Sequence, residues 1–154
     1  MKQDGELAYL AGVLDTRAVV RTRLVGGSQS VLPYLAMSCG DAELLRWLAA
    51  STGVRNVVTS RNYDKHRCLE HCDQAHEHIT SVSGRWTVSG SRATVVLAGT
   101  RPWVRFQVEA WDRALAVGLE ATRKDRVVEK MVQLGWPLPG PWQRTQETQE
   151  TMTT

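Results

Sequence analysis

The hydrophobic periodicity changes abruptly near residue 15, and this change limits the folds that the chain can adopt. In residues 5–14, apolar residues recur at the spacing of one helical face: Leu7, Leu10, Ala11 and Leu14. In residues 17–25 the period becomes two, with basic and apolar residues on opposite parities: Arg17, Arg21 and Arg23 against Ala18, Val20 and Leu24. The sequence therefore predicts a helix with one apolar face that leads directly into a half-exposed strand with a cationic face.

Turn and capping signals predict a hairpin and a second helix after this strand. "GGSQ" at 26–29 indicates a hairpin turn. The returning strand, "SVLPYLAMS", contains Pro33, which is typical of a sheet edge or a bulge. Asp41 is the predicted N-cap of the helix "DAELLRWLAAST", and Gly53 is predicted to end it. The first half of the chain is thus predicted to be helix, two strands and helix.

The second half begins with two more predicted strands and then becomes helical. The third strand is predicted over 54–60, and residues 78–90 are predicted to be a fourth strand or a hairpin, with a polar loop rich in Cys and His between the two segments. Helices are predicted over 91–100, from Pro102 to residue 121, and over 123–136. Residues 137–154 have no apolar periodicity and are predicted to be a disordered tail. We therefore expect one α+β domain over residues 1–136, built around a single antiparallel sheet.

Composition places the chain among ordinary globular proteins. Of its 154 residues, 42% are hydrophobic and 23% are charged. No run approaches the roughly 18 apolar residues of a membrane span, and "MKQDGELAYL" lacks a signal-peptide core. Three cysteines cannot all pair, so we expect a cytoplasmic protein with no membrane partner. Fifteen of the 19 basic residues are arginine, which suits phosphate and base-edge contacts, although a GC-rich genome also favours arginine.

The first helix carries a pair of small residues away from its apolar face. Ala8 and Gly12 are four residues apart, which would let a second helix approach closely. Small residues are also common on helices that are buried within their own domain. Both interpretations, a contact between chains and a contact within one, remain open at this point.

The stretch "LAGVLDTRA", residues 10–18, resembles the nine-residue motif of the LAGLIDADG homing endonucleases. The matching positions are Leu10, Ala11, Gly12, the aliphatic Val13 and Leu14, and Asp15. The predicted order of elements is similar to the αββαββα core of that family. Residues 86–107 also resemble its C-terminal signature, in which a basic residue precedes one helix and an aromatic residue after proline starts the next. The resemblance covers roughly residues 6–120.

This resemblance implies a homodimer that binds double-stranded DNA. In the family, the motif helices of two copies pack together, and the two sheets form a saddle along the major groove. Two-fold symmetry then implies a pseudo-palindromic site. The dimer interface is predicted to contain Ala8, Ala11, Gly12 and Asp15. The predicted DNA-binding residues are arginines: Arg17, Arg21, Arg23, Arg55, Arg61 and Arg92.

The motif departs from the family at the position that matters for cleavage. Family members hold a divalent metal with the second acid of the motif, and Arg17 stands there, between Thr16 and Ala18. A guanidinium offers only donors and repels a cation, whereas Mg²⁺ needs anionic oxygens. We therefore predict DNA binding without cutting and without catalytic Mg²⁺. The alternative is an active nuclease that uses Asp15 or a displaced acid, with Ser91 or Arg92 in place of the family's basic residue.

Residues 66–78, "HRCLEHCDQAHEH", contain all four histidines and two of the three cysteines of the chain. Two thiolates and two imidazoles are a set that tetrahedral Zn²⁺ prefers. The predicted ligands of a structural zinc are Cys68, Cys72, His76 and His78. His66 and His71 are possible substitutes or phosphate contacts, and a plain polar loop is the simpler interpretation.

Three functional hypotheses therefore come from the sequence. The first is a DNA-binding homodimer without nuclease activity, which would serve as a repressor, a maturase-like factor or an evolutionary remnant. The second is an active homing endonuclease, and the third is a zinc-stabilised interaction module. Four tryptophans are predicted to lie in the core rather than to stack on bases: Trp86, Trp103, Trp111 and Trp136. Three acids are predicted to form a solvated helix face: Glu109, Asp112 and Glu120.

Overall fold

The switch from helix to strand occurs within two residues. In the computed structural model, helix α1 covers Asp4–Arg17 and strand β1 covers Val19–Leu24. The backbone N–H of Ala18 still donates to the carbonyl of Leu14, at 2.8 Å, before the chain extends. The structure describes residues 4–27, 30–67, 75–140 and 142, and it leaves the side chains of 59–83 undescribed.

The remaining elements follow in the predicted order, and the predicted α+β class is confirmed. They are β2 (Val31–Cys39), α2 (Ala42–Thr52), β3 (Val57–Arg67), β4 (Ala75–Ser89), α3 (Gly90–Thr100), a 3₁₀ turn (Arg101–Trp103), α4 (Val108–Ala121) and α5 (Lys124–Gln133). The caps of α2 are those expected from the sequence. The Asp41 carboxylate accepts from the N–H groups of Glu43 and Leu44, and Gly53 ends the helix with a φ of 70°.

The four strands form one antiparallel sheet in the order β1-β2-β4-β3. One face of the sheet is apolar, because the register pairs Leu35 with Val88 and Met37 with Trp86. These four side chains are buried in a core cluster that includes residues of all five helices. The helices therefore cover one face of the sheet, which is the arrangement that positions the opposite face for binding.

The tryptophan prediction is confirmed. Trp86 and Trp111 are fully buried, Trp136 is nearly so, and Trp103 packs against the same core. The indole N–H of Trp86 donates to the Val54 carbonyl at 3.1 Å, so the buried ring also has its polar partner.

Two boundaries differ from the sequence prediction. The segment predicted as a polar loop is largely strand: β3 continues to Arg67, and β4 begins at Ala75. Its backbone is satisfied by cross-strand pairing from Asn62 to Arg67, so the strands need no apolar alternation to form. The helix predicted from Pro102 is only a 3₁₀ turn there, and α4 starts at Val108.

Pro33 lies at a partly paired position, as its sequence context suggested. It is opposite Thr22 of β1, but the pairing of β2 with β4 begins one residue later, at Tyr34. The segment of β2 that contains Pro33 therefore has a neighbour on one side, which tolerates the missing N–H. No described helix is both long and apolar enough to span a membrane. Most of the predicted tail lies outside the described residues, but Trp142 packs against the core.

Candidate nucleic-acid interface

The end of α1 is fixed by Asp15, which is buried and accepts three backbone hydrogen bonds. Its Oδ2 accepts from the N–H groups of Arg105 and Phe106, at 2.6 and 2.8 Å, and its Oδ1 accepts from Gln107 at 2.8 Å. These residues immediately precede α4, so the carboxylate also lies at the positive end of that helix. This explains why α4 starts at Val108: the N–H groups before it bind Asp15 instead of extending a helix.

The hydrogen bonds keep Asp15 ionised. Burial alone would raise the pKa of this carboxyl group, but the three backbone N–H donors, with the charge of Arg105, lower it below its ordinary value. Asp15 therefore has a structural role where α1 meets the start of α4, with both of its carboxylate oxygens engaged by the protein.

Arg17 lies exposed at the C-terminal end of α1, two residues before β1. A cation in the last turn of a helix is favoured by the helix dipole, which gives this arginine a structural benefit without any ligand. Asp15, the nearby acid of the motif, is turned into the protein. Within the described parts of the chain, no cluster of three His, Cys, Asp or Glu residues could hold a metal ion.

The face of the sheet opposite the helices is exposed and cationic. We call it the outer face, and its described residues include Val19, Arg21, Arg23, Tyr34, Val58, Arg85 and Thr87. Arg21 and Arg23 are both exposed, and Arg21 is paired with Tyr34 across β1 and β2. The predicted cationic face of β1 thus lies on the solvent-facing side of the described part of the sheet.

Tyr34 is held between two of these arginines. Its hydroxyl accepts from the guanidinium of Arg85 at 3.1 Å, and the guanidinium of Arg23 lies 4.9 Å from the centre of its ring. The three side chains come from β4, β2 and β1, so they span three neighbouring strands. A guanidinium over an aromatic ring gains about 0.5–1 kcal/mol at an exposed site, which limits the directions in which Arg23 can point.

Sequence reasoning missed Arg85 and Tyr34. A signal for Arg85 was present, because "RWTVS" alternates polar and apolar residues and Trp86 is on the core parity. No comparable signal marked Tyr34, whose role depends on the order in which the strands pair. Strand order is a property of the fold that alternation alone does not contain.

Three other predicted DNA-binding arginines lie elsewhere. Arg55 precedes β3, which begins at Val57, so the predicted strand position of Arg55 is wrong. Arg61 is within β3, opposite Val82, and its side chain lies outside the described part of the structure. Arg92 is in the first turn of α3 and lines a cavity on the helical side of the molecule.

The predicted dimer interface divides into two parts. Ala11 and Asp15 are buried by the chain's own elements, so they are not surface residues, and their assignment to a contact with a partner is corrected. Ala11 faces inward with the other predicted apolar positions of α1, whereas Gly12 is exposed and Ala8 partly so. A side chain at Gly12 would meet no atom within 4 Å. Tyr9 lies between them on the surface and is 59% exposed.

The predicted zinc ligands are only partly described. Cys68 and Cys72 lie outside the described residues, and the backbones of His76 and His78 lie in β4 without described side chains. The register of the β3–β4 hairpin pairs His66 with His76. The zinc assignment therefore remains a prediction.

Comparison with known proteins finds similarity to a solved structure. No family model matches the sequence, and no curated protein matches it. Among solved structures, the chain is similar to the crystal structure of the homing endonuclease I-CvuI in complex with its target (Sro1.3) in the presence of 2 mM Ca. The similarity covers 86% of this chain and 96% of that chain, with 14% identity and a TM-score of 0.47.

Proposed function

We propose that this protein is a homodimer that binds a specific site in double-stranded DNA through the outer faces of its two sheets, and that it does not cleave that site. The observation that carries the proposal is the arrangement of Arg23, Tyr34 and Arg85 across three strands, beside Arg21. Arginine forks bind phosphates and guanine edges. A face with fixed arginines can therefore contribute both affinity and base selection.

The outer face has the composition expected of such a surface. No acidic residue is among its described residues on β1, β2 and the last six residues of β4. A two-stranded β-ribbon fits the major groove, which is about 12 Å wide. The resemblance of residues 10–18 to the LAGLIDADG motif supports the same mode of binding, because in that family the sheet lies along the groove.

Dimerisation through α1 would double this surface. Gly12 and Ala8 leave the backbone of α1 accessible, and Tyr9 adds an exposed apolar ring on the same side of the helix. At the end of this helix, Phe106 is 79% exposed although its N–H is bound to Asp15. Exposed apolar side chains beside small residues suit a symmetric contact between two copies of one surface.

The absence of cleavage is proposed from the chemistry of the motif. Arg17 stands where relatives place a metal-binding acid, and Asp15 has both oxygens engaged by backbone N–H groups. Two Arg17 side chains near the centre of a dimer would attract phosphates directly. A carboxylate pair in the same place would need a metal ion to neutralise its repulsion of DNA.

The test is a salt titration of DNA binding by the wild type and by Arg21→Ala/Arg23→Ala. The slope of log affinity against log salt falls by about 0.9 for each phosphate contact that is lost. A matched control is Arg46→Ala/Arg113→Ala, which removes the same charge from exposed positions on α2 and α4, on the other side of the sheet. We expect the first variant to bind weakly with a flatter slope and the control to resemble the wild type. Equal losses in both variants would mean that only net charge matters and would refute the assignment of the outer face.

A further inference from the structure

A cavity of about 570 Å³ lies between the end of α2, the start of α3 and one side of α5. Its lining comprises Thr52, Gly53, Val54, Ser91, Arg92, Val95, Ala121, Thr122, Arg123, Arg126, Val127, Lys130 and Leu134. Cavities of about 300–1,000 Å³ are typical of sites for small molecules. This cavity, which we call the basic cavity, is separate from the outer face and has no place in the proposed DNA contact.

The charged residues that line the basic cavity are all cations. Four of the lining residues are cations, and none is an acid: Arg92, Arg123, Arg126 and Lys130. Three of them recur on one side of α5 and its N-cap, at intervals of three and four residues. Arg92 belongs to α3, so two different helices contribute cations to the same space. Like charges repel unless an anion separates them, so this arrangement favours a ligand with more than one negative charge.

Two of these cations have an unused capacity to bind. The guanidinium of Arg123 already pairs with Asp125 at 2.9 Å, and Lys130 reaches Gln133 at 3.4 Å. No hydrogen bond or ion pair joins the guanidinium group of Arg92 or Arg126 to any described residue. These two side chains are therefore the ones available for a bidentate contact with a phosphate group.

The start of α3 adds backbone donors to the same wall. Ser91 and Arg92 are in its first turn, and its N-cap, Ser89, makes no capping hydrogen bond with its side chain. The first N–H groups of a helix have no partner within that helix and carry a partial positive charge. An anion in the basic cavity could accept from them as well as from the two arginines.

The inner wall of the basic cavity is apolar. Val54, Val95 and Val127 are each at most 5% exposed, and they lie beneath the exposed cations. Ala121 and Leu134 line the same cavity and keep exposed apolar surface, which an inorganic anion would leave in contact with water. A ligand that joins a phosphate to an aromatic or other apolar group would cover it and would use the whole volume.

From this geometry we propose that the basic cavity is a binding site for a small phosphorylated ligand with an aromatic or apolar group, of the class of the mononucleotides. The phosphate lies between Arg92, Arg126 and the first turn of α3, and the apolar group lies against Ala121 and Leu134. The proposal does not depend on DNA binding by the outer face. The sequence predicted that Arg92 binds DNA, whereas this proposal makes Arg92 a ligand-binding residue of the basic cavity.

The experiment is a calorimetric titration of the wild-type protein with AMP, with adenosine and with inorganic phosphate. We expect AMP to bind with a dissociation constant below about 1 mM, and adenosine and phosphate to bind at least about tenfold more weakly than AMP. Arg92→Ala and Arg126→Ala should each weaken AMP by about tenfold or more. Ala121→Trp should block AMP without a change of charge, because Ala121 lines the cavity and is exposed. Arg113→Ala, on α4, is the control that should bind AMP as the wild type does.

Three results would overturn the proposal. The first is equal binding of AMP and adenosine, because the cations would then contribute nothing. The second is unchanged AMP binding by Arg92→Ala and Arg126→Ala, because the ligand would then lie elsewhere. The third is no AMP binding by the wild type, and loss of duplex DNA binding in these two variants would then assign the cations to the DNA backbone. A failure of wild-type DNA binding would refute the proposed function and leave this test unaffected.

Discussion

Gln107 donates two hydrogen bonds to Asp15, one from its backbone and one from its side chain. The Gln107 backbone N–H donates to the Asp15 carboxylate at 2.8 Å, and the Gln107 side-chain amide donates to the Asp15 carbonyl at 2.8 Å. The same amide also donates to the Ala18 carbonyl at 2.9 Å. The pair therefore satisfies the last carbonyls of α1 and the N–H groups before α4 together. It fixes the position of Arg17 and of the first outer-face residues relative to the helical layer.

Replacing Asp15 with Asn should destabilise the fold. The change removes the charge from a buried group that accepts three hydrogen bonds and replaces one acceptor oxygen with a donor that faces N–H groups. Hydrogen bonds to charged groups contribute about 1.5–3 kcal/mol, so we expect a loss of about 2–3 kcal/mol in the free energy of unfolding. Urea unfolding measures it. Asp41→Asn is the matched control, because Asn caps helices about as well as Asp, and it should cost little.

The pH dependence of the stability of the wild type and of Asp15→Asn tests whether the charge of Asp15 causes this difference. The pKa of Asp15 is lowered in the folded state, so its contribution is complete above the unfolded value of about 3.9 and disappears as the pH falls through the folded value. We expect the stability difference between wild type and Asp15→Asn to be constant near neutral pH and to shrink below about pH 4. A difference that stays the same down to pH 2, about two units below the unfolded value, would show that the charge is not responsible.

Tyr34→Phe should weaken DNA binding without affecting the fold. The ring still lies beneath Arg23, but the acceptor for Arg85 is removed, so Arg85 loses its fixed direction. We expect a loss of affinity of about threefold to tenfold, which corresponds to roughly one hydrogen bond. A gel-shift assay at fixed salt measures affinity, and thermal unfolding should show no change. An affinity of Tyr34→Phe equal to that of the wild type would contradict the proposed role of the Arg85–Tyr34 hydrogen bond in DNA binding.

Gly12→Leu should give a monomer that is still folded. A side chain at Gly12 meets nothing within 4 Å in the single chain, so the substitution should not disturb the domain. It should separate two α1 helices that pack closely and should also lower DNA affinity, because each monomer presents half of the surface. Sedimentation velocity measures the mass, and Ala50→Leu, at an exposed position of α2, is the control. A wild type that is monomeric at micromolar concentration would exclude the proposed dimer.

The zinc prediction has a direct measurement. We expect one zinc ion per chain when protein without a His-tag is purified in the absence of added zinc and analysed by mass spectrometry of the metal. Cys68→Ser/Cys72→Ser should lose the metal, and Cys39→Ser should retain it, because Cys39 is a separate free thiol whose Sγ is 3.4 Å from the Asp41 carbonyl. Metal-free wild type whose stability does not change in chelator would leave the β3–β4 hairpin without a zinc site.

Local patterns predicted the elements well, and they failed where contacts between distant elements decide the structure. The apolar face of α1 and the caps of α2 depend on residues within a few positions of one another, and the structure has both. The start of α4 was missed because Asp15, about 90 residues earlier, binds the N–H groups that a longer helix would have used. Arg85 became part of the candidate interface only because β4 pairs with β2 and not with β1.

The same contrast between local patterns and contacts of distant elements explains which surface assignments the sequence predicted correctly. Alternation in β1 correctly separated Arg21 and Arg23 from the core residues, because both faces of a strand are encoded within a few positions. Ala11 was predicted at a dimer interface from a motif, whereas its burial depends on α1 packing within its own domain. Arg92 was assigned to DNA by resemblance, and the packing of α5 against α3 instead places it at the basic cavity.

Arg17→Asp tests the proposed role of Arg17 in DNA binding. The substitution introduces the acid that the LAGLIDADG endonucleases have at the corresponding position of their motif and removes a cation that the proposed dimer would place near the phosphates. We expect weaker binding in the absence of metal and a gain of affinity when Mg²⁺ is added, whereas Mg²⁺ should not raise the affinity of the wild type. Arg17→Ala, the control for loss of charge alone, should weaken binding without creating any dependence on Mg²⁺.

The central claim is that the wild-type protein holds a specific duplex and leaves it intact. The most direct measurement is selection of bound sequences from a random duplex library, followed by incubation of the selected duplex with the protein and Mg²⁺ or Mn²⁺. We expect enrichment of a pseudo-palindromic sequence, and we expect the selected duplex to remain at full length after incubation with the protein and the metal ion. Specific double-strand breaks in the selected duplex, or no enrichment of any sequence, would contradict it.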